Sequence, residues 1–114
     1  MIEFTEKDDI TNVLVKNKED KILSVLYFTA KWCGPCKKTL PVIIELSEKL
    51  KNVNIQFYKI DIDKNEEFCD KCKIRAVPTL YAMNGKGLLS SITGSDTKKI
   101  GLMVANTIKL FIKK

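Results

Sequence analysis

Histidine is absent from this chain of 114 residues, and proline, glycine and tryptophan are scarce, with three, five and one residues respectively. The absence of histidine excludes catalytic Cys–His pairs, histidine metal ligands and imidazole bases. No apolar run approaches the roughly 18 residues that a membrane-spanning helix needs. The start of the chain, Met1–Thr5, lacks the basic segment followed by an apolar core that marks a secretory signal. These absences favour a cytoplasmic protein that does not enter a membrane.

The composition predicts a single globular domain over residues 1–114, because a chain of this length has the size of one domain. Hydrophobic residues make up 45% of it, which is enough for a packed core. The formal net charge of +6 comes from lysines interleaved with acidic residues. Without a basic stripe and stacking aromatics, this charge predicts a solvated surface and no nucleic-acid binding. Lys31, Lys37 and Lys38 differ because they flank two cysteines, where they favour an anionic sulfur and attract acidic partners.

Hydrophobic periodicity predicts nine elements in the order βαβαβαββα. Apolar and β-branched runs indicate strands at residues 2–4, 22–29, 55–62, 79–83 and 88–93. Helical patterns and capping residues indicate helices after Thr5, over 33–51 and 65–72, and after Ser95 or Asp96. The sequence Asn84-Gly85-Lys86-Gly87 is a strong hairpin signal between the last two strands. The alternation of strands and helices predicts parallel crossovers first and an antiparallel edge last.

Two of the helices have predicted apolar faces. The second helix is expected to contain Pro41, which kinks it. Its inner face is predicted to consist of Leu40, Ile43, Ile44 and Leu50. The last helix is expected to supply the apolar positions Ile100, Met103, Val104, Ile108, Leu110 and Phe111.

The motif Trp32-Cys33-Gly34-Pro35-Cys36 carries the chemistry of the chain. It places Cys33 at the start of the second helix, where unpaired N–H groups and the helix dipole favour a negative charge. The resulting thiolate is the nucleophile of disulfide exchange. Cys36 lies one turn further along, from which it can attack a mixed disulfide on Cys33 and release the reduced substrate. In a reducing compartment such a pair is more often catalytic or metal-binding than structural.

The motif and the element order together resemble the thioredoxin family over essentially the whole chain. Further matching positions are Phe28, Ala30, Pro41, Lys59, Asp61, Asp63, Ala76-Val77-Pro78-Thr79 and Gly94. The resemblance implies an α/β fold, a three-layer α/β/α sandwich with flanking helices around a central mixed sheet. It also implies a thiol-disulfide oxidoreductase, specifically a protein-disulfide reductase that carries electrons and contributes to cell redox homeostasis.

The implied chemistry needs no bound cofactor, because the redox-active disulfide Cys33–Cys36 is the whole redox apparatus. The chain has no Gly-rich nucleotide signature of its own. The implied partners are disulfide-containing client proteins and an NADPH-dependent thioredoxin reductase as electron donor. The protein is expected to be a monomer without a metal. The alternative function is a thioredoxin-fold interaction module or complex subunit with weak redox turnover. An oxidase or isomerase of a secretory compartment is disfavoured by the Gly-Pro pair.

The resemblance also assigns roles around the two cysteines. Gly34 and Pro35 restrain the loop between the thiols, and in the family this pair goes with a strongly reducing dithiol. The family's proline matching Pro78 is cis, lies beside the disulfide and blocks the approach of a metal, although an ordinary trans proline is the alternative. Trp32 is expected to offer an exposed apolar surface beside the thiols, and the alternative is that it is an ordinary core residue. The implied substrate-binding residues are Trp32, Val77, Pro78 and Gly94, with the Val77 backbone pairing with an extended substrate segment.

Tyr27 departs from the family, which usually carries a buried aspartate five residues before the motif tryptophan. That aspartate helps to take the proton from the second cysteine, whereas a phenol is a poor base at neutral pH. The proton of Cys36 is therefore expected to leave through water or Lys59, and the resolving step to be slowed without being abolished. Tyr27 either hydrogen-bonds to Lys59, which pairs with the aspartate in the family, or fills core space. Lys59 is alternatively an ordinary surface lysine.

The second departure is the pair Cys69-Asp70-Lys71-Cys72 on the predicted short helix. Cysteines at i and i+3 of a helix are close enough to form a disulfide, and the family includes a regulatory cysteine matching Cys72. A second, regulatory disulfide is one interpretation, and two non-catalytic thiols are the other. A zinc site shared with Cys33 and Cys36 is disfavoured, because the spacing between the two pairs exceeds that of zinc ribbons and knuckles.

Overall fold

The computed structural model describes residues 1–112, so the last two residues of the predicted 1–114 domain lie outside the described residues. The predicted order βαβαβαββα is confirmed. The strands are β1 (Ile2–Phe4), β2 (Leu23–Thr29), β3 (Ile55–Asp61), β4 (Thr79–Asn84) and β5 (Gly87–Thr93). The helices are α1 (Ile10–Glu19), α2 (Gly34–Lys49), α3 (Glu66–Lys71) and α4 (Thr97–Ile112).

The five strands form one mixed sheet in the order β1-β3-β2-β4-β5. The pairs β1–β3 and β2–β3 are parallel, while β2–β4 and β4–β5 are antiparallel. The hairpin between β4 and β5 turns at Gly85, which has a φ of +60°. A side chain is strained at this φ, which explains the glycine. The predicted parallel crossovers and antiparallel edge are both confirmed.

The helices cover both faces of the sheet because successive strand residues point to opposite sides. Leu26 and Phe28 of β2 belong to a core cluster with α1 and α3. Val25 and Tyr27 of the same strand belong to a second cluster with α2 and α4. The fold is therefore the three-layer α/β/α sandwich that the resemblance implied.

The strand register gathers polar side chains on the face that α2 covers. Tyr27 of β2 lies opposite Lys59 of β3, and Thr29 lies opposite Asp61. Glu3 of β1 lies opposite Lys59 on its other side. Because residues opposite one another in a sheet share a face, these five side chains line the floor beneath the start of α2.

Several details of the helices differ from the sequence prediction. Thr5 does not cap α1; its backbone N–H donates to Asp8, and Asp9 caps the helix by accepting from the Asn12 N–H at 3.1 Å. In α2, Ile43 is buried, but Ile44 is 45% exposed, because one residue turns the helix by about 100° away from the sheet.

The last helix shows the same effect. The buried residues of α4 are Ile100, Val104 and Thr107, which form one line along the helix. Leu110 is 55% exposed because it lies outside this buried line. Asp96, not Ser95, caps α4 by accepting from the N–H groups of Lys98 and Lys99. Within residues 1–112, none of the helices combines the length and apolar composition needed to cross a membrane.

Candidate functional site

Cys33 and Cys36 form a disulfide at the start of α2, with their Cα atoms 5.3 Å apart. Cys33 is the N-cap residue of the helix, and its Sγ accepts the Cys36 backbone N–H at 3.2 Å. Pro35 lies in the first turn, where its missing N–H costs no helical hydrogen bond. The sulfur of Cys33 therefore lies where the helix dipole and a backbone donor both favour negative charge.

The loop before β4 closes the site from the other side. The Val77 carbonyl oxygen lies 3.6 Å from Cys33 Sγ, and the Val77–Pro78 peptide bond is cis, as the resemblance implied. Ala30 and the two cysteines form a small buried cluster against which Val77 packs. The Pro78 carbonyl accepts the backbone N–H of Gly94 at 2.9 Å, which joins this loop to the end of β5.

Trp32 is a large exposed apolar side chain beside the disulfide, with 68% of the residue exposed. It does not belong to the core. Its indole Nε1–H donates to Asp63 Oδ2 at 2.9 Å, which holds the ring against the loop that follows β3. The disulfide itself is shielded, since Cys33 is 4% and Cys36 is 2% exposed. A fixed apolar ring next to a recessed disulfide suits a site that receives another protein.

Tyr27 is buried beneath the first turn of α2, with 1% of the residue exposed. Its hydroxyl donates to the Cys36 carbonyl at 3.0 Å and lies 2.6 Å from the Thr39 hydroxyl. The Thr39 hydroxyl is also 3.1 Å from the same carbonyl. Tyr27 thus fills core space, as one of the two interpretations had it, and in addition anchors the backbone of Cys36.

Lys59 does not hydrogen-bond to Tyr27, so that interpretation is wrong. Its Nζ lies 4.0 Å from Glu3 Oε1, and the lysine side chain is 31% exposed. The register explains this, because Lys59 lies between Tyr27 and Glu3 and only Glu3 offers it a carboxylate. The Tyr27 hydroxyl instead points to the backbone of α2.

A cleft of about 390 Å³ opens between the start of α2 and the β1–β3 edge of the sheet. Cys36 forms part of its wall. Its charged lining residues are Glu3, Lys31, Lys37, Lys59, Asp61 and Lys64. The cleft gives the second cysteine a polar approach that does not pass through Cys33.

Cys69 and Cys72 are free thiols at the end of α3, on the opposite face of the sheet from the disulfide. Burial is the main cause that raises the pKa of Cys69 to about 12, with Cys72, Asp70 and Asp61 adding to it. Burial also raises the pKa of Cys72. Thiols of raised pKa react slowly with disulfides, so the burial of Cys69 and Cys72 favours the interpretation as non-catalytic thiols over a regulatory pair.

Among residues 1–112 the structure assembles no cluster of three metal-ligating side chains.

The sequence does not predict that two polar residues, Thr39 and Asp61, lie beside Cys36. Thr39 carries no distinctive signal in the sequence, because single threonines are common in amphipathic helices. The family resemblance marks Asp61 as a matching position without a role, whereas in the structure it is 4% exposed and lines the cleft beside Cys36. The strand register places Asp61 in this cleft, and hydrophobic periodicity alone does not predict the register.

Comparisons with known proteins agree with this geometry. The family model of thioredoxin matches residues 2–106. The mitochondrial thioredoxin O1 of Arabidopsis thaliana is 38% identical over 96 residues, which are 82% of this chain and 48% of that protein. The chain thus spans about half the length of this relative.

Two further proteins match over most of both lengths. The thioredoxin-1 of Drosophila melanogaster is 35% identical over 95 residues, which are 83% of this chain and 87% of that protein. The crystal structure of the reduced thioredoxin pre-protein of Schistosoma mansoni aligns with a TM-score of 0.79 at 35% identity. That alignment covers 92% of this chain and 95% of the solved one.

Proposed function

The chain belongs to the thioredoxin family, and on that premise we propose that it reduces disulfide bonds in client proteins through Cys33 and Cys36. The observation that carries the proposal is the position of the pair: a disulfide at a helix N-terminus, with Cys33 as N-cap and its Sγ accepting a backbone N–H. This environment stabilises the thiolate that disulfide exchange requires.

The reaction runs in two steps. The Cys33 thiolate attacks one sulfur of the client disulfide, forming a mixed disulfide and expelling the other client sulfur as a thiolate. The Cys36 thiolate then attacks Cys33 Sγ, so that the Cys33–Cys36 bond forms and the second client sulfur leaves. The client gains two electrons and two protons, and the protein is left as the disulfide seen in the structure.

We assign client binding to the surface around the disulfide. Trp32 supplies an exposed apolar ring, and Val77, Pro78 and Gly94 supply the loop that faces it. Among residues 1–112 the backbone N–H of Val77 has no hydrogen-bond partner, which leaves it available to an extended client segment. Gly34 adds no side chain between the two sulfurs.

The oxidised pair must be reduced again by a second protein, for which we propose an NADPH-dependent thioredoxin reductase. The cysteine pair serves as the whole redox group, so the protein carries electrons between that reductase and its clients as a monomer. We propose the cytoplasm as its compartment, since the free thiols Cys69 and Cys72 suit a reducing environment.

Insulin reduction with dithiothreitol, compared between wild type, Cys33→Ser, Cys36→Ser and Cys72→Ser, tests this function. We expect both active-site variants to lose turnover and Cys72→Ser to keep it. Cys36→Ser alone should accumulate a mixed disulfide with the client, which mass spectrometry detects. An interaction module would behave differently: Cys33→Ser would still bind its partner, and wild type would show no turnover above background.

A further inference from the structure

The second step of exchange requires Cys36 to lose its proton inside a shielded site. Cys36 is 2% exposed, so bulk water reaches it poorly. The chain contains no histidine that could act as a base. The hydroxyl of Tyr27 is committed to the Cys36 carbonyl and to Thr39, and a phenol accepts protons weakly at neutral pH. The acceptor must therefore be another group.

The cleft beside Cys36 provides a route for this proton. Its volume of about 390 Å³ is enough for several waters, since one water occupies about 30 Å³ in the liquid. Its charged residues are four lysines and the two carboxylates of Glu3 and Asp61. An ammonium group donates hydrogen bonds and has no lone pair to accept a proton. The two carboxylates are therefore the available acceptors.

Asp61 is better placed than Glu3. Glu3 lies on the edge strand β1, with a half-exposed side chain that pairs with Lys59. Asp61 ends the neighbouring strand β3 opposite Thr29, and the residue is 4% exposed. Its Oδ1 accepts the Asp63 backbone N–H at 2.9 Å, which fixes the side chain. A fixed, shielded carboxylate is a more effective proton acceptor than a mobile, solvated one.

The second oxygen of Asp61 faces accessible space. Within residues 1–112, Oδ2 has no hydrogen-bond partner, and no fully buried side-chain oxygen or nitrogen lacks one. Oδ2 is therefore not fully buried. Because Asp61 lines the cleft that Cys36 also lines, this oxygen can accept a hydrogen bond from water there.

We propose that Asp61 accepts the proton of Cys36 through water in this cleft during the second step of exchange. The inference rests on the proposed reductase function. The Cys36 thiol gives its proton to a water, which gives one to the Asp61 carboxylate. The Cys36 sulfur then forms its bond to Cys33 Sγ while the bond from Cys33 to the client sulfur breaks. The departing client thiolate takes up a proton from solvent, and Asp61 returns its own to solvent.

Stopped-flow reaction of the reduced protein with one equivalent of 5,5′-dithiobis(2-nitrobenzoate) tests the proposal. The first coloured thiolate reports attack by Cys33, and the second reports attack by Cys36. Asp61→Asn keeps an Oδ1 acceptor for the Asp63 N–H and so keeps the turn. We expect this variant to leave the first phase unchanged and to slow the second phase by about 10²-fold at pH 7. The difference should vanish at alkaline pH, where Cys36 ionises without help.

Glu3→Gln is the matched control, because it removes a carboxylate from the same cleft. We expect its second phase to stay within about twofold of wild type. A second phase unchanged in Asp61→Asn, or slowed equally in Glu3→Gln, would overturn the role of Asp61. Loss of the first phase in wild type would instead overturn the reductase function, so the two failures are distinguishable. Cys36→Ser, which should release one thiolate only, identifies the second phase.

Discussion

Replacing Tyr27 with phenylalanine removes one oxygen atom from the interior of the protein and separates the two roles that a group at this position can have. Tyr27 is 1% exposed, so no bulk water can take the place of its hydroxyl. The variant loses the hydrogen bond to the Cys36 carbonyl at 3.0 Å and the contact with the Thr39 hydroxyl at 2.6 Å. Thr39 still lies 3.1 Å from that carbonyl, which therefore keeps a donor.

The expected loss of stability follows from these two hydrogen bonds. The two hydroxyl protons of Tyr27 and Thr39 make two hydrogen bonds among these three oxygens, and in the variant the proton of Thr39 still makes one of them, to the Cys36 carbonyl. The net loss is one hydrogen bond, about 1 kcal/mol of the free energy of unfolding. For a chain of this length the entropy of unfolding then predicts a fall in Tm of roughly 4 °C. Urea unfolding followed by far-UV circular dichroism measures the effect. The single tryptophan is a poor probe, because Trp32 is 68% exposed in the folded state.

Tyr58→Phe is the matched control, since it removes a second buried tyrosine hydroxyl on the opposite face of the sheet. Tyr58 accepts one hydrogen bond, from Asn17 Nδ2 at 2.9 Å, and Asn17 also donates to Ser24. We expect it to lose about 1–3 kcal/mol, at least as much as Tyr27→Phe, because one buried N–H of Asn17 is left without its acceptor.

The kinetics distinguish anchoring from proton transfer. If Tyr27 anchors the backbone of Cys36, Tyr27→Phe should slow the second phase of thiolate release a few-fold without moving its pH midpoint. Tyr58→Phe should leave both phases unchanged. The reasoning is refuted if Tyr27→Phe costs no stability, or if its pH midpoint moves, because the phenol would then be the proton acceptor.

Two further predictions concern stability away from the disulfide. Because burial raises the pKa of Cys69 to about 12, its thiol stabilises the fold fully below the unfolded-state pKa of about 8.5, and this stabilisation is lost as pH rises towards 12. Urea midpoints measured from pH 8 to 10.5 should therefore fall more steeply in wild type than in Cys69→Ala, and parallel slopes would contradict the assignment. Gly85→Ala should cost about 1–2 kcal/mol, because Gly85 has a φ of +60° and the new Cβ would lie 2.7 Å from Lys18 Cδ. Gly87→Ala, whose nearest neighbour would be the Asn84 carbonyl oxygen at 3.4 Å, is its control, and equal losses would show that the turn conformation is not responsible.

The sequence was sufficient for the fold because each local signal agreed with the global one. The apolar run that became β2 contains β-branched and aromatic residues, and the Gly85 turn fixed the hairpin. The predictions of buried helix residues were wrong where a residue is rotated around the helix axis, away from the sheet. Ile44 and Leu110 are apolar but lie outside the buried line, since hydrophobicity alone does not say where an apolar face ends.

Within the candidate site, the sequence predicts only the part that is contiguous in the chain, which is the motif with the two cysteines. Cys33 and Cys36 are adjacent on one helical turn, so their spacing is enough to place them together. Tyr27, Thr39 and Asp61 come from β2, α2 and β3, and their meeting depends on register and on the packing of α2 over the sheet. The interpretation that Tyr27 hydrogen-bonds to Lys59 is wrong for this reason, because Lys59 pairs with Glu3 of the first strand instead.

The departure at position 27 takes on a specific physical meaning from these contacts. A single aspartate there can both accept a proton and accept hydrogen bonds, but it cannot donate to the Cys36 carbonyl once it is ionised. Tyr27 can donate, and it does so beside Thr39. Tyr27 of β2 therefore anchors the backbone of Cys36, and the acceptor of the Cys36 proton must lie on another strand. Asp61 is the shielded carboxylate that the register brings to the cleft beside Cys36. If this division is correct, Tyr27→Phe and Asp61→Asn affect different properties of one step, and their effects on its rate multiply.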